Sequence, residues 1–90
     1  MTQRAVIVGS RIGLHARPAA LFVKAATAQS VPITIRKGDG PAVDARSILR
    51  VLALGARNGD LVVLEAEGTE AEAALEAVAT VVMEDHDDPA

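Results

Sequence analysis

Ninety residues, half of them apolar, suffice for one domain with a single modest core, burying roughly 60–65% of the unfolded surface. There is no Cys, Trp or Tyr and one Phe, which excludes disulfides, thiolate metal sites and thiol nucleophiles and leaves the core to Val, Ile, Leu and Ala. The net charge is −3 with the acids crowded into the C-terminal third, so nucleic-acid binding, which favours net positive charge or stacking aromatics, is not expected.

Arg4 to Val8 is short and β-branched, closes at Gly9-Ser10, and reads as a strand. From Ala16 to about Ala28 the residues are small and apolar around Lys24, the pattern of a helix packed on a sheet. Val31 to Lys37 alternates Val31, Ile33 and Ile35 with Pro32, Thr34 and Arg36, predicting a second strand with Pro32 at its start or on an edge. Gly38-Asp39-Gly40 marks a hairpin turn into a short strand through Ala42-Val43. Ser47 and Gly55 bracket a short helix, serine capping its start and glycine its close. After a turn at Asn58-Gly59, Leu61 to Ala66 is an apolar strand. Thr69, with Glu72 three residues on, has the form of a capping box. Behind it Ala71, Ala74, Leu75, Val78 and Val82 recur at helical spacing to near Glu84.

The order β-α-β-β-α-β-α predicts an α+β open-faced β-sandwich, a four-stranded antiparallel sheet with three helices on one face. Residues 1–90 read as a single domain whose acidic end, 85–90, is expected to fray. Without a basic and apolar leader pattern or a long apolar run, a cytoplasmic protein with no membrane insertion is expected.

Gly13-Leu14-His15-Ala16-Arg17-Pro18-Ala19 joins the first strand to the first helix. Pro18 suits a first helical turn, where a missing N–H costs nothing. His15 then stands at a helix N-terminus with Arg17 close by, where open backbone N–H groups and the positive dipole end attract an anion. Neutral imidazole is a good nucleophile toward phosphorus, and the N–P bond it forms stays reactive enough to pass the group on. The dipole favours a neutral ring and then the phosphoryl dianion, and Arg17 could add charge-assisted hydrogen bonds to its oxygens. Gly13 would let the chain turn tightly and a donor's active site come close. Equally, His15 could simply cap the helix and Arg17 be a solvated charge; local physics leaves both readings open. Basic residues from Arg4 to Arg57 against an acidic end suit an acidic protein partner.

Gly13 to Ala19 resembles the active-site signature of the HPr family, the histidine-containing phosphocarriers of the bacterial sugar phosphotransferase system. Ala45-Arg46-Ser47-Ile48-Leu49 through Leu54-Gly55 is similar to the family's second motif, with Arg46 where Lys is usual. The likeness covers the whole chain, and the element order is also the family's. It implies that His15 takes a phosphoryl group on Nδ1 from phosphoenolpyruvate by way of enzyme I and passes it to IIA domains of sugar permeases. It also implies that Arg17 and the backbone N–H groups of Ala16 and Arg17 steady the phosphate, with no cofactor and no metal. The carrier is then not a stand-alone enzyme, and a monomer is the simplest form for a shuttle that exchanges partners.

Ser47 falls at the family's regulatory serine, the target of a dedicated HPr serine kinase in many Gram-positive bacteria, while also suiting a helix cap. The alternative function is therefore a regulatory paralogue of the same fold acting mainly through Ser47, in carbon or nitrogen control. Ala20, Ile48, Leu49 and Leu52, rimmed by Arg17, Lys24 and Arg50, are expected to form the docking surface, with about half of them buried instead in the chain's own core. Ile12 departs from the family pattern, which often has a small polar residue there able to hydrogen-bond near the histidine. His86 is expected to be solvated. Glu84, Asp85, Asp87 and Asp88 lack the spacing and glycine of an EF-hand and read as a solvated tail, a resting partner for Arg17.

Overall fold

The computed structural model describes residues 1–84; 85–90, with His86 and the acidic tail, lie outside the described residues. Seven elements follow the expected order: β1 (Thr2–Ile7), α1 (Ala16–Thr27), β2 (Ile33–Lys37), β3 (Val43–Asp44), α2 (Ile48–Ala53), β4 (Leu61–Ala66) and α3 (Ala71–Met83). The strands form one antiparallel sheet in the order β1-β4-β2-β3. β1 and β2 both run antiparallel to β4 between them, so α1 is the crossover that carries the chain over the sheet.

Strand alternation puts most of the sheet's aliphatic side chains on one face. Val6, Ile33, Ile35, Val62, Leu64 and Ala66 are buried beneath the helices, while Gln3, Ala5, Ile7 and Leu61 stand exposed on the other side. That open face is tied by polar pairs: Glu65, in register with Gln3 and Thr34, accepts from Gln3 at 2.9 Å and from Arg36 at 3.4 Å. α3 packs on β1 and β4, α1 on α3, and α2 on α1 and β3. Small buried side chains on both helices, Ala19 and Ala26 on α1 and Ala71, Ala74 and Ala79 on α3, suit the contact between them. Phe22 fills the centre and is fully buried, so the core is otherwise aliphatic, as composition required. Truncating so large a buried ring costs about 3–5 kcal/mol, a sizeable part of the roughly 5–15 kcal/mol typical of a domain.

Element boundaries shift for local reasons. β1 begins earlier than Arg4 because β4 continues far enough to pair Thr2 with Ala66. It ends before Val8, whose N–H and C=O instead bind Asp60 and Gly59, at 3.0 and 2.9 Å. β2 begins after Pro32, which has no N–H to give to the ladder, and it lies inside the sheet, between β4 and β3. The capping box at Thr69 does not form. Ala71 N–H bonds Gly68 C=O at 3.2 Å, which places Thr69 and Glu70 in the middle of a turn. Glu70 becomes the N-cap of α3 without a side-chain cap bond, and its carboxylate accepts from the Ser30 hydroxyl instead.

Candidate functional site

The segment from Gly9 to His15 is shaped by close contacts with distant backbone. Gly9 lies against the end of α3: its N–H bonds Val82 C=O at 3.0 Å, and a Cβ there would stand 1.8 Å from the Met83 carbonyl oxygen. Gly13 has φ +79 and is buried, and a Cβ on it would reach within 2.5 Å of the Ala56 carbonyl oxygen. The positive φ agrees with the tight turn expected of Gly13, and the contact with Ala56 shows that the chain's own packing also demands a glycine there. Leu14 is pinned twice, by its buried side chain and by its N–H on Ala56 C=O at 2.9 Å. His15 N–H then closes a tight turn onto Gly13 C=O at 2.9 Å, and the next residue enters the helix.

His15 is the N-cap of α1, with extended backbone (φ −108, ψ −168) and no side-chain cap hydrogen bond. It is exposed, as are Ala16 and Arg17. The first turn closes with Ala19 N–H on His15 C=O at 2.8 Å. Helix geometry therefore gives the N–H groups of Ala16 and Arg17 no intrahelical acceptor, and buried Pro18 has none to offer. Arg17 forms no hydrogen bond or ion pair with another side chain among the described residues. An exposed imidazole, two open amide donors and an uncommitted guanidinium thus share one helix end without any acid in the first turn. The arrangement can hold a dianion next to a ring nitrogen.

A shallow depression of about 270 Å³ adjoins the imidazole, lined by Ile12, Leu52, Ala56 and Arg57 among others. Ile12 is 55% exposed at its edge. The α2 side of the expected docking surface splits. Leu52 is half-buried and shares the histidine's depression, whereas Arg50 lines another, of about 390 Å³, with Lys37 and Leu54. Ala20, Lys24, Ile48, Leu49 and Arg50 are all exposed, so fewer of these residues are buried than half. Leu49, 77% exposed, is the most prominent apolar side chain of α2.

Ser47 is the N-cap of α2 and accepts from Arg50 N–H at 3.4 Å. It is half-buried, and Arg46 beside it reaches Gln29 C=O at 3.1 Å. Sequence reasoning did not place Arg57 and the Ala56 carbonyl at the histidine. Some forty residues separate them in the chain, and tertiary bonds from Leu14 to Ala56 and between Val8 and the 58–60 turn bring them together. Among the described residues no group of three or more His, Asp or Glu side chains could hold a metal ion, and no helix is long and apolar enough to cross a membrane.

Among the described residues one histidine stands exposed, at a helix start with open amides beside it, on an open-faced sheet; such an architecture suits a small phosphocarrier. Comparison with known proteins agrees. Residues 2–84 match the family described as the PTS HPr component phosphorylation site. The chain is 55% identical over 84 residues to the phosphocarrier protein HPr of Streptomyces coelicolor, covering 93% of this chain and 90% of that one. It is 40% identical to the HPr-like protein Crh of Bacillus subtilis, covering 94% of this chain and 99% of Crh. Among solved structures, HPr of Bacillus anthracis superposes with a TM-score of 0.83 at 43% identity, covering 90% of this chain and 95% of that chain. The chain belongs to the HPr family of phosphocarriers of the phosphotransferase system.

Proposed function

We propose that the chain accepts a phosphoryl group on His15 from enzyme I, ultimately from phosphoenolpyruvate, and passes it to IIA domains of sugar permeases. The carrying observation is that His15 occupies the N-cap without capping, exposed beside the open amides of Ala16 and Arg17. In the step, the lone pair of neutral Nδ1 attacks phosphorus while the bond from phosphorus to the donor breaks and the donor keeps that electron pair. The ring proton stays on Nε2. Arg17 and the two amides hold the phosphoryl oxygens, and the second transfer runs the same displacement toward the acceptor. Such transfer rests on positioning and electrostatics, so the chain acts as a cytoplasmic monomeric carrier and not as a catalyst on its own. The exposed apolar residues Ala20, Ile48 and Leu49 and the cations Arg17, Lys24 and Arg50 are the docking surface for both partners, which would present acidic rims.

A second reading, regulation through Ser47 by an HPr serine kinase, has support in the likeness to Crh and in the position of Ser47 at a helix start. Incubation with phosphoenolpyruvate and enzyme I separates the two. An acid-labile, base-stable phosphate that disappears in His15→Ala supports the carrier. Its absence with a competent enzyme I rejects the carrier, and an acid-stable phosphate on Ser47 with a cognate kinase then favours regulation.

A further inference from the structure

Resting on the assignment of His15 as the phosphoryl acceptor, we infer that Arg57 is a second cationic contact of the phosphoryl group, acting from outside helix α1. Arg57 lines the same depression as His15, and its side chain is exposed. Its guanidinium forms no hydrogen bond among the described residues, so it is available to an anion.

What sets Arg57 apart from an ordinary surface arginine is the fixing of its backbone on every side. Its N–H donates to Asp60 Oδ2 at 2.9 Å, and its C=O accepts from Asp60 N–H at 2.9 Å. The preceding carbonyl, of Ala56, accepts Leu14 N–H, one residue from the histidine. Gly13 lies so close that a Cβ there would meet Arg57 Cα at 2.8 Å. The loop that carries Arg57 and the loop that presents His15 are thus locked to each other, so only the arginine side chain, and not its backbone, has to be ordered to reach a group on the ring.

The charges around it are consistent with this role. Asp60 holds the Arg57 backbone and lies 3.5 Å from Lys37 Nζ, so its charge is drawn mainly to Lys37 and more weakly to the Arg57 guanidinium. Arg17 approaches from α1 and Arg57 from the β4 side, which would place a dianion between two guanidinium groups. Each adds charge-assisted bonds, and the pair favours the phosphorylated state over the free histidine.

The test bypasses protein donors. Phosphoramidate phosphorylates the imidazole directly: its own P–N bond breaks, ammonia leaves, and a ring nitrogen of His15 bonds to phosphorus. The pH midpoint of the phosphorylated ring is then followed by phosphorus NMR at low salt. Arg57→Ala and Arg57→Gln should each raise the midpoint by roughly 0.3–1 unit, the effect of losing one partly solvated neighbouring charge. Arg57→Lys should restore most of the difference, and added salt should shrink it. A midpoint unmoved in both neutral variants, while Arg17→Ala moves it, overturns the inference alone. Failure of the unsubstituted chain to take phosphate at His15 overturns the acceptor assignment and this inference with it.

Discussion

The starts of α1 and α2 are built alike and used differently. Both N-cap residues have extended backbone, with φ −108 at His15 and φ −103 at Ser47. Ser47 spends its hydroxyl on Arg50 N–H, whereas His15 leaves its ring uncommitted and the amides behind it open. The first arrangement satisfies a helix end and contributes stability; the second forgoes that gain and keeps donors ready for an anion. The start of α3 also lacks a side-chain cap bond, but there the Glu70 carboxylate accepts from Ser30, whereas among the described residues the His15 ring and the Arg17 guanidinium keep no such partner. The cost is carried by neighbours: buried Leu14 and Pro18 and the bond to Ala56 hold the open end in place.

The largest expected effect is the sharpest break in that comparison. His15→Ala should abolish phosphoryl transfer from enzyme I while moving unfolding stability by less than about 0.5 kcal/mol, since no cap bond is lost. Phosphate labelling and urea unfolding on the same preparation check both halves. A large loss of stability would mean that His15 does cap the helix, and the contrast with Ser47 would collapse.

Gly13→Ala comes next, and it acts on the support of the open end. A left-handed backbone and a Cβ 2.5 Å from the Ala56 carbonyl oxygen cannot both be accommodated without moving the histidine's loop. Loss of roughly 2–5 kcal/mol is expected from strain and overpacking together, with transfer reduced in the protein that still folds. Thermal unfolding reads it directly, at about 4–8 °C per kcal/mol for a domain of this size. An unchanged melting temperature would show that the loop is free to relax and that Ala56 does not hold it.

Ser47→Ala is the counterpart at the satisfied end. Its cap bond is long, at 3.4 Å, so the cost should fall in the lower part of the roughly 0.5–2 kcal/mol range for cap removal. A urea midpoint equal to that of the unsubstituted protein would mean that the two helix starts differ only in residue type, not in how they are satisfied.

Much of this was legible in the chain because local signals carried it. Period-two runs marked the strands, and Pro18, Ser47 and Gly55 marked the helix ends, so the element order and the exposed cap histidine followed from short windows. Thr69 misled because Gly68 (φ +106) and the turn after it outcompete a side-chain cap, which no hydrophobic period reveals. The packing around Gly13 escapes the sequence for a different reason: a glycine's freedom to turn is visible there, but the backbone it lies against is not. Arg57 was visible only as one more charge, since its place beside His15 depends on bonds across the fold from Val8 and Leu14 to the loop that carries it.

The smallest expected effect tests how that distant side of the site is held. Asp60 is kept below the usual carboxylate value, first by accepting Arg57 N–H; desolvation opposes this, and the charges of Lys37 and Arg57 add to the lowering. A depressed folded value means that the charged form stabilises the fold above the unfolded Asp value near 3.9. The contribution fades as pH falls through the lower folded value. Asp60→Asn keeps a carbonyl oxygen able to accept from Arg57 but removes the charge. Its urea midpoint should therefore lie slightly below that of the parent at neutral pH and converge with it in acid, once pH has fallen through the lowered folded value and the Asp60 carboxyl is protonated. Amide exchange at Arg57 should quicken in the variant at neutral pH alone. A gap that persists unchanged in acid would assign the effect to turn geometry around Gly59 (φ +88), and the charge of Asp60 would then play no part in presenting Arg57 to the histidine.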